Sequence, residues 1–305
     1  MMIALNLHNE TNPLEAVVLG LPDSFGGTPK LEDCYDPKSR EHVLKGTFPT
    51  QQNVINEMNA VKSVLLKYGV EIFRPRNIEG LNQIFSRDIA FVIDNKFIVP
   101  NIIEDRKEEA SALDTLIENL SSENIIPMPN DARVEGGDVM LCDDFIFVGY
   151  SEELDFHKYQ VARTNRSAVD FLQHSFPHKK VKGFELKKSD DNPKDNALHL
   201  DCCFQSVGQH YAIMYKEGFK NQSDIDFLIS HFGEDNIIFI SRDEMYQMNS
   251  NIFSISPQVV ISEKGFERLN KELRNKGITV EEVPYAEIAK MEGLLRCSTL
   301  PLRRK

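Results

Sequence analysis

The feature that most constrains this chain is a recurrence. Between residues 51 and 68 the apolar positions Val54, Met58, Val61, Val64 and Leu65 recur at helical spacing, and Gly69 ends the helix where a C-cap is expected. A short strand, 70–75, follows at once. The same order returns at about 107–120 before 124–128, 167–176 before 181–186, 223–232 before 236–240, and 265–276 before 278–283. The strands of four of these pairs, and the one at 70–75, lead into apolar segments broken by turn residues, which read as hairpins. These are 84–99 with a turn at Asp94-Asn95, 134–148 with a turn at Asp143-Asp144, 198–215 with a turn near Gly208-Gln209, and 252–262 with a turn at Ser256-Pro257. A fifth hairpin requires the C-terminal strand around Cys297 to pair with the N-terminal strand 14–20, which would close a ring. Such units, roughly 45 to 65 residues apart, are the signature of a radial repeat. The expected fold is α/β: a five-bladed α/β propeller of pseudo-fivefold hairpin-helix-strand units in a single catalytic domain, 1–305. A doubly wound parallel sheet also alternates helices and strands, but the hairpins argue against it. Residues 23–50 show neither period and are expected to form a long surface loop.

Charge narrows the partners. The chain of 305 residues carries 35 Lys+Arg against 47 Asp+Glu, a net charge of -12. Nucleic acid and anionic membranes demand a basic footprint, so neither is an expected partner, whereas a small cationic substrate suits the balance. No apolar run is long enough to span a bilayer, and the first residues lack the pattern of a signal peptide, so the cytoplasm is the expected location. The five cysteines include no CxxC pair, which speaks against a disulfide framework or a zinc site. An assembly of identical chains is left open.

The start of each expected hairpin carries polar residues: Phe85-Ser-Arg-Asp88, Val134-Glu-Gly-Gly-Asp138, Leu198-His-Leu-Asp201, Met248-Asn-Ser-Asn251 and Arg296-Cys297. In a ring of repeats these positions face one axis, so Asp88, Glu135, His199, Asp201, Asn251 and Cys297 would meet. Each has a plainer reading. Arg87-Asp88 fits a surface ion pair, Glu135-Gly-Gly-Asp138 a hairpin turn, His199 a core histidine bonded to Asp201, and Cys297 a small buried hydrophobe. Strand alternation would put His199, Asp201 and Cys203 on one face, and the coincidence of five such positions in one register favours a reactive constellation.

Several carboxylates, one histidine and one cysteine without metal spacing suit a planar cation. A guanidinium has five N–H donors, pairs with carboxylates in a bidentate fork, and offers its central carbon to a thiolate. Neither a glycosidase nor a papain-like hydrolase uses the whole set. The ordered motifs Arg87-Asp88, Glu135-Gly-Gly-Asp138, Arg163-Thr-Asn165, His199-Leu-Asp201 and Leu294-Leu-Arg-Cys-Ser-Thr299 also resemble the guanidino-group modifying enzymes: arginine deiminase, dimethylarginine dimethylaminohydrolase and the amidinotransferases. The resemblance covers nearly the whole chain, and that family's fold is the five-bladed α/β propeller (the pentein fold).

It implies Cys297 as nucleophile, His199 as general acid and base, Glu135 as its carboxylate partner, and Asp88 and Asp201 as guanidinium ligands. Arg163 would hold a substrate carboxylate, with Arg106, expected to be a solvated charge, as the weaker candidate. Residues 152–162 stand as an insertion before Arg163. No metal and no organic cofactor is implied. The expected reaction hydrolyses a guanidino substrate, arginine or a methylated arginine, to a ureido product such as citrulline plus ammonia or amine, through a covalent Cys-amidino intermediate. An amidinotransferase and a non-catalytic guanidino-binding protein are the alternatives. Arg296 beside Cys297 is expected to lower the thiol pKa.

Overall fold

In the computed structural model, which describes residues 2–305, the strands form five three-stranded sheets. Each is an antiparallel pair extended by one parallel strand. The first joins β1 (Leu14–Leu19) to β2 (Glu71–Phe73) in parallel and takes its antiparallel partner from the other end of the chain, β15 (Thr299–Arg304). The second is β3 (Phe91–Ile93), β4 (Lys96–Val99) and β5 (Ile125–Pro127); the third is β6 (Val139–Cys142), β7 (Phe145–Tyr150) and β8 (Lys180–Glu185). The fourth is β9 (Phe204–Val207), β10 (Tyr211–Met214) and β11 (Ile237–Phe239), and the fifth β12 (Phe253–Ser256), β13 (Val259–Glu263) and β14 (Thr279–Val283). Asp94, Asp143 and Gly208 take positive φ at three of the four hairpin turns, as tight strand reversals require. The five sheets fit a pseudo-fivefold repeat.

A helical segment bridges each antiparallel pair to its parallel strand, because a parallel pairing needs a crossover. Between β1 and β2 the crossover holds α1 (Pro37–Leu44) and α2 (Gln51–Lys67); α2 buries Val54, Met58, Val61 and Leu65, one stripe of an amphipathic helix. The crossover from β4 to β5 differs from the continuous helix expected at 107–120. It is a 3₁₀ stretch, Glu104–Leu113, followed by one α turn, α3 (Asp114–Ile117). Its buried Arg106, Glu109 and Ala112 recur every three residues, which is the 3₁₀ period. In the third unit α4 (Glu153–Lys158) lies in the insertion and α5 (Arg166–Ser175) makes the crossover. The crossover of the fourth unit is α6 (Gln222–Phe232); α7 (Arg242–Tyr246) follows β11, and α8 (Glu267–Asn275) serves the fifth. Among the described residues no helix is long and apolar enough to cross a membrane.

Residues 23–50 are not one long loop. Asp36 accepts a hydrogen bond from the Ser39 backbone at 2.6 Å and caps α1, where Pro37 occupies the first turn. That helix buries Pro37, Lys38 and Ser39, so its inner face is polar and carries no apolar stripe to detect.

The polar segments do not begin the strands, as expected, but form a tight turn ahead of the first strand of every sheet. The turns are Ser86–Ile89, the 3₁₀ turns Gly136–Asp138 and Leu200–Cys202, and the turns at 247–250 and 295–298. They are hydrogen-bonded in a cycle. Arg87 N donates to Cys297 O at 2.9 Å and Gly136 N to Asp88 O at 3.2 Å. Leu200 N donates to Asp138 Oδ1 at 2.8 Å, Ser250 Oγ to Asp201 O at 2.9 Å, and Arg296 N to Asn251 O at 3.3 Å. Each turn thus holds its neighbour in the next repeat, and the fifth is tied to the first.

Candidate active site

The cycle of turns brings the candidate side chains together. Asp88, Glu135, His199, Asp201, Cys297, Arg106 and Arg163 are each at most 3% exposed. His199 and Asp201 converge by a route other than strand alternation: the chain from Leu200 to Cys202 is a 3₁₀ turn with His199 at its N-cap. Cys203 leaves the cluster and packs against Gly218, where an added Cβ would lie 2.5 Å from the cysteine Cβ.

His199 is held from both ring nitrogens. Nε2 lies 2.8 Å from Glu135 Oε2, and Nδ1 faces Asp88 Oδ1 at 3.7 Å. Burial by itself would lower the His199 pKa, but Asp88, the hydrogen bond to Glu135 and Asp138 outweigh it and raise it. Burial would raise the Glu135 carboxyl, and here too the charges win: Arg163, the His199 bond and Arg106 hold it well below the usual range. Glu135 is therefore an anion and His199 is inclined to keep its proton. Gly137 makes room for this pair, since a Cβ there would stand 2.6 Å from His199 Nδ1 and 2.9 Å from Asp88 Oδ1. Asp138 joins the second and third turns by accepting from Thr164 Oγ1 at 2.6 Å and from Leu200 N.

Cys297 sits in a different field from the one expected. The Arg296 guanidinium turns away from the thiol, donating to Asp201 Oδ2 at 2.9 Å, Glu10 Oε1 at 3.0 Å and the carbonyls of Gly137 and Val139. The thiol lies 3.8 Å from Asp201 Oδ2 and receives one donor, Asn251 Nδ2, at 3.2 Å. Burial, Asp201 and Asp88 all push its pKa well up, which corrects the expectation that Arg296 lowers it. Asn251 also fixes the backbone beneath the sulfur, because its Oδ1 accepts from Arg296 N at 2.9 Å and Cys297 N at 3.2 Å.

Both aspartates have an arginine of the chain on one oxygen. Arg106 donates to Asp88 Oδ2 at 2.7 Å, approaches Glu135 at 3.5 Å and forks onto Glu109. It is a buried structural ion, not the solvated charge expected. Asp88 Oδ1 has no hydrogen-bond partner. Arg163 remains in the cluster despite the insertion, because Ser151 N bonds to Thr164 O at 2.8 Å and closes off the α4 excursion. Its Nη1 lies 3.4 Å from Glu135 and its Nη2 donates to the Tyr35 carbonyl at 2.9 Å, with Tyr35 stacked over the guanidinium. Donor atoms of Asp88, Glu135 and His199 all lie within 4.8 Å of one another, close enough for a metal. The carboxylates of that trio are already answered by Arg106 and Arg163. Glu10, Tyr35 and Glu109 were not anticipated. Glu10 lies outside the repeat register, and neither Tyr35 nor Glu109 belongs to a recognisable motif.

A cavity of about 300 Å³ opens above the cluster and shares Tyr35 and Glu109 with it. The segment bearing Phe25, Cys34 and Tyr35 lines one side, and Asn82, Asp105 and Met291 the other.

The model of the family described as "N,N dimethylarginine dimethylhydrolase, eukaryotic" matches residues 37–304. The uncharacterized protein YkgA of Bacillus subtilis (strain 168) is 30% identical over 247 residues, covering 77% of this chain and 78% of YkgA. The arginine deiminase of Listeria monocytogenes serotype 4a (strain HCC23) is 26% identical over 265 residues, and the match covers 73% of this chain and 62% of the deiminase. Two solved structures share the fold. The N-terminal domain of ArgZ, an arginine dihydrolase from the cyanobacterial ornithine-ammonia cycle, superposes with a TM-score of 0.78 at 15% identity, over 95% of this chain and 98% of that domain. SxtG, an amidinotransferase of Microseira wollei, gives 0.73 at 19% identity, over 99% and 97%. With a family model spanning nearly the whole chain and relatives of both the deiminase and amidinotransferase kinds, the chain belongs to the N,N-dimethylarginine dimethylhydrolase family, within the guanidino-group modifying superfamily.

Proposed function

We propose that residues 1–305 form one catalytic domain, a closed five-bladed α/β propeller, which hydrolyses a guanidino compound through a covalent cysteine intermediate. Arginine and its methylated forms are the first substrates to test. The observation that carries this reading is the convergence of Cys297, the His199–Glu135 pair and the carboxylates of Asp88 and Asp201 from separate turns of one hydrogen-bonded cycle.

A guanidinium entering between Asp88 and Asp201 meets the unpartnered Asp88 Oδ1 and neutralises the two carboxylates that suppress Cys297 ionisation. Binding the cation therefore favours the thiolate where it is needed. The sulfur attacks the central carbon and forms a C–S bond. The leaving C–N bond breaks as protonated His199 gives its proton to the departing nitrogen, releasing ammonia or an amine. Water then gives a proton to His199 and its oxygen to the carbon, the C–S bond breaks, and a ureido product leaves. Glu135 stabilises the imidazolium that this cycle regenerates. Because the reacting groups are buried, the Tyr35 segment has to shift for substrate to enter and water to be excluded afterwards.

The test incubates the protein with arginine, methylated arginines and agmatine in turn, with and without an acceptor amine such as glycine, and assays ureido product and ornithine separately. Ureido product without added amine, lost in Cys297→Ser, is expected. Ornithine that forms only with an acceptor would mean an amidinotransferase; tight binding with neither product would mean a binding protein.

A further inference from the structure

The cavity above the catalytic cluster is charged on one side only. Its lining includes the carboxylates of Asp33, Asp36, Asp105 and Glu109 and not one lysine, arginine or histidine. Arg40 of α1 acts on Cys34 from behind the wall but does not line the space. The two arginines beneath are engaged. Arg106 is bound by Asp88, Glu109 and the Phe85 carbonyl. Arg163 is wholly buried under Tyr35, and although its Nε is unpartnered, Glu135 and the Tyr35 carbonyl hold its two terminal nitrogens. A substrate whose guanidinium lies on Asp88 would extend its tail past Glu109 into this cavity. A carboxylate on that tail meets only negative groups unless it displaces Tyr35 to reach Arg163; an ammonium finds counter-charge without any rearrangement.

We infer that this site recognises its substrate's tail through an ammonium group, and not through a carboxylate, with Asp33 and Asp105 as specificity-determining residues at the rim. The inference rests on the guanidino reading of the cluster and narrows it to guanidines carrying a distal amine. Both aspartates are exposed, so their influence works through the field of the cavity and is screened by salt.

Three probes separate the possibilities: agmatine, whose tail is an ammonium; 4-guanidinobutanoate, whose tail is a carboxylate; and arginine, which carries both. The expected order of kcat/KM is agmatine, then arginine, then 4-guanidinobutanoate, with at least about tenfold between the first and last at low salt and less at high salt. The double variant Asp33→Asn/Asp105→Asn should narrow that gap roughly threefold to tenfold, as exposed charge pairs allow, without altering Tm. If 4-guanidinobutanoate equals or exceeds agmatine, or the double variant leaves the order untouched, the inference is overturned while the guanidino reading stands. If none of the probes is turned over, the reading of the reaction fails, and calorimetric binding of the same probes to the wild-type protein still decides tail recognition: preference for agmatine supports it, and equal or absent binding refutes it.

Discussion

Replacing Glu135 by Gln tests the centre of the mechanism, because it keeps the shape of the residue while removing its charge from a hydrogen bond of 2.8 Å to His199 Nε2. A hydrogen bond to a charged group contributes about 1.5–3 kcal/mol, and one pKa unit corresponds to about 1.4 kcal/mol. Losing the charge should therefore lower the His199 pKa by about one to two units. His199 has to be protonated when the leaving nitrogen departs, so activity falls as pH rises through its pKa; in Glu135→Gln that basic limb should begin at lower pH by about the same amount. The stability consequence carries a matching sign. A histidine whose folded pKa is raised contributes stability present below its unfolded value and lost as pH rises through the folded one, and the variant should lose that contribution. The assay is kcat/KM against pH for both proteins with Tm recorded across the same range. Asp88→Asn provides the control, since Asp88 also raises His199 but holds neither Arg163 nor the ring nitrogen Nε2. A folded Glu135→Gln protein whose basic limb has not moved would refute the pairing of Glu135 with the proton donor.

Asp88→Asn should weaken catalysis roughly tenfold to a hundredfold, the equivalent of losing one charged hydrogen-bond partner, and leave Tm nearly unchanged because Arg106 keeps Glu109. Normal kinetics with an early melt would make Asp88 a structural member of the Arg106 pair alone. Brief alkylation at neutral pH with neutral iodoacetamide should label Cys34, which lines the open cavity, before the closed and protonated Cys297. A cationic amidine alkylating agent should reverse the order, because its charge cancels the field of Asp88 and Asp201. Peptide mapping checks both, and a Cys297 that reacts faster with the neutral reagent would contradict the field described around it.

The repeat was readable because sheet pairing and amphipathic helices leave periodic apolar marks. The stripe Val54, Met58, Val61, Leu65 and the turn residues Asp94, Asp143 and Gly208 stand where expected. What failed to show was structure built on polar contacts. In α1 an Asp36 cap and a buried Lys38 replace the apolar face, and the 3₁₀ stretch at Glu104–Leu113 buries charged Arg106 and Glu109 against Asp88. The Asp36-Pro37 pair was the one available signal for α1, a cap followed by proline at the first helical position.

The electrostatics of Cys297 were misjudged for a related reason. Adjacency in sequence put Arg296 beside the thiol, but in a turn successive side chains point in different directions, and this one reaches Glu10 and Asp201 instead. The chain thereby spends its own arginines on the carboxylates nearest the reacting carbon: Arg296 on Asp201 and Arg106 on Asp88. With one oxygen of each aspartate already satisfied, the resting cluster tolerates burial of its acids without a substrate. The positive charge that would release the Cys297 proton has to arrive from outside, which couples the reactivity of the thiol to the presence of a cation.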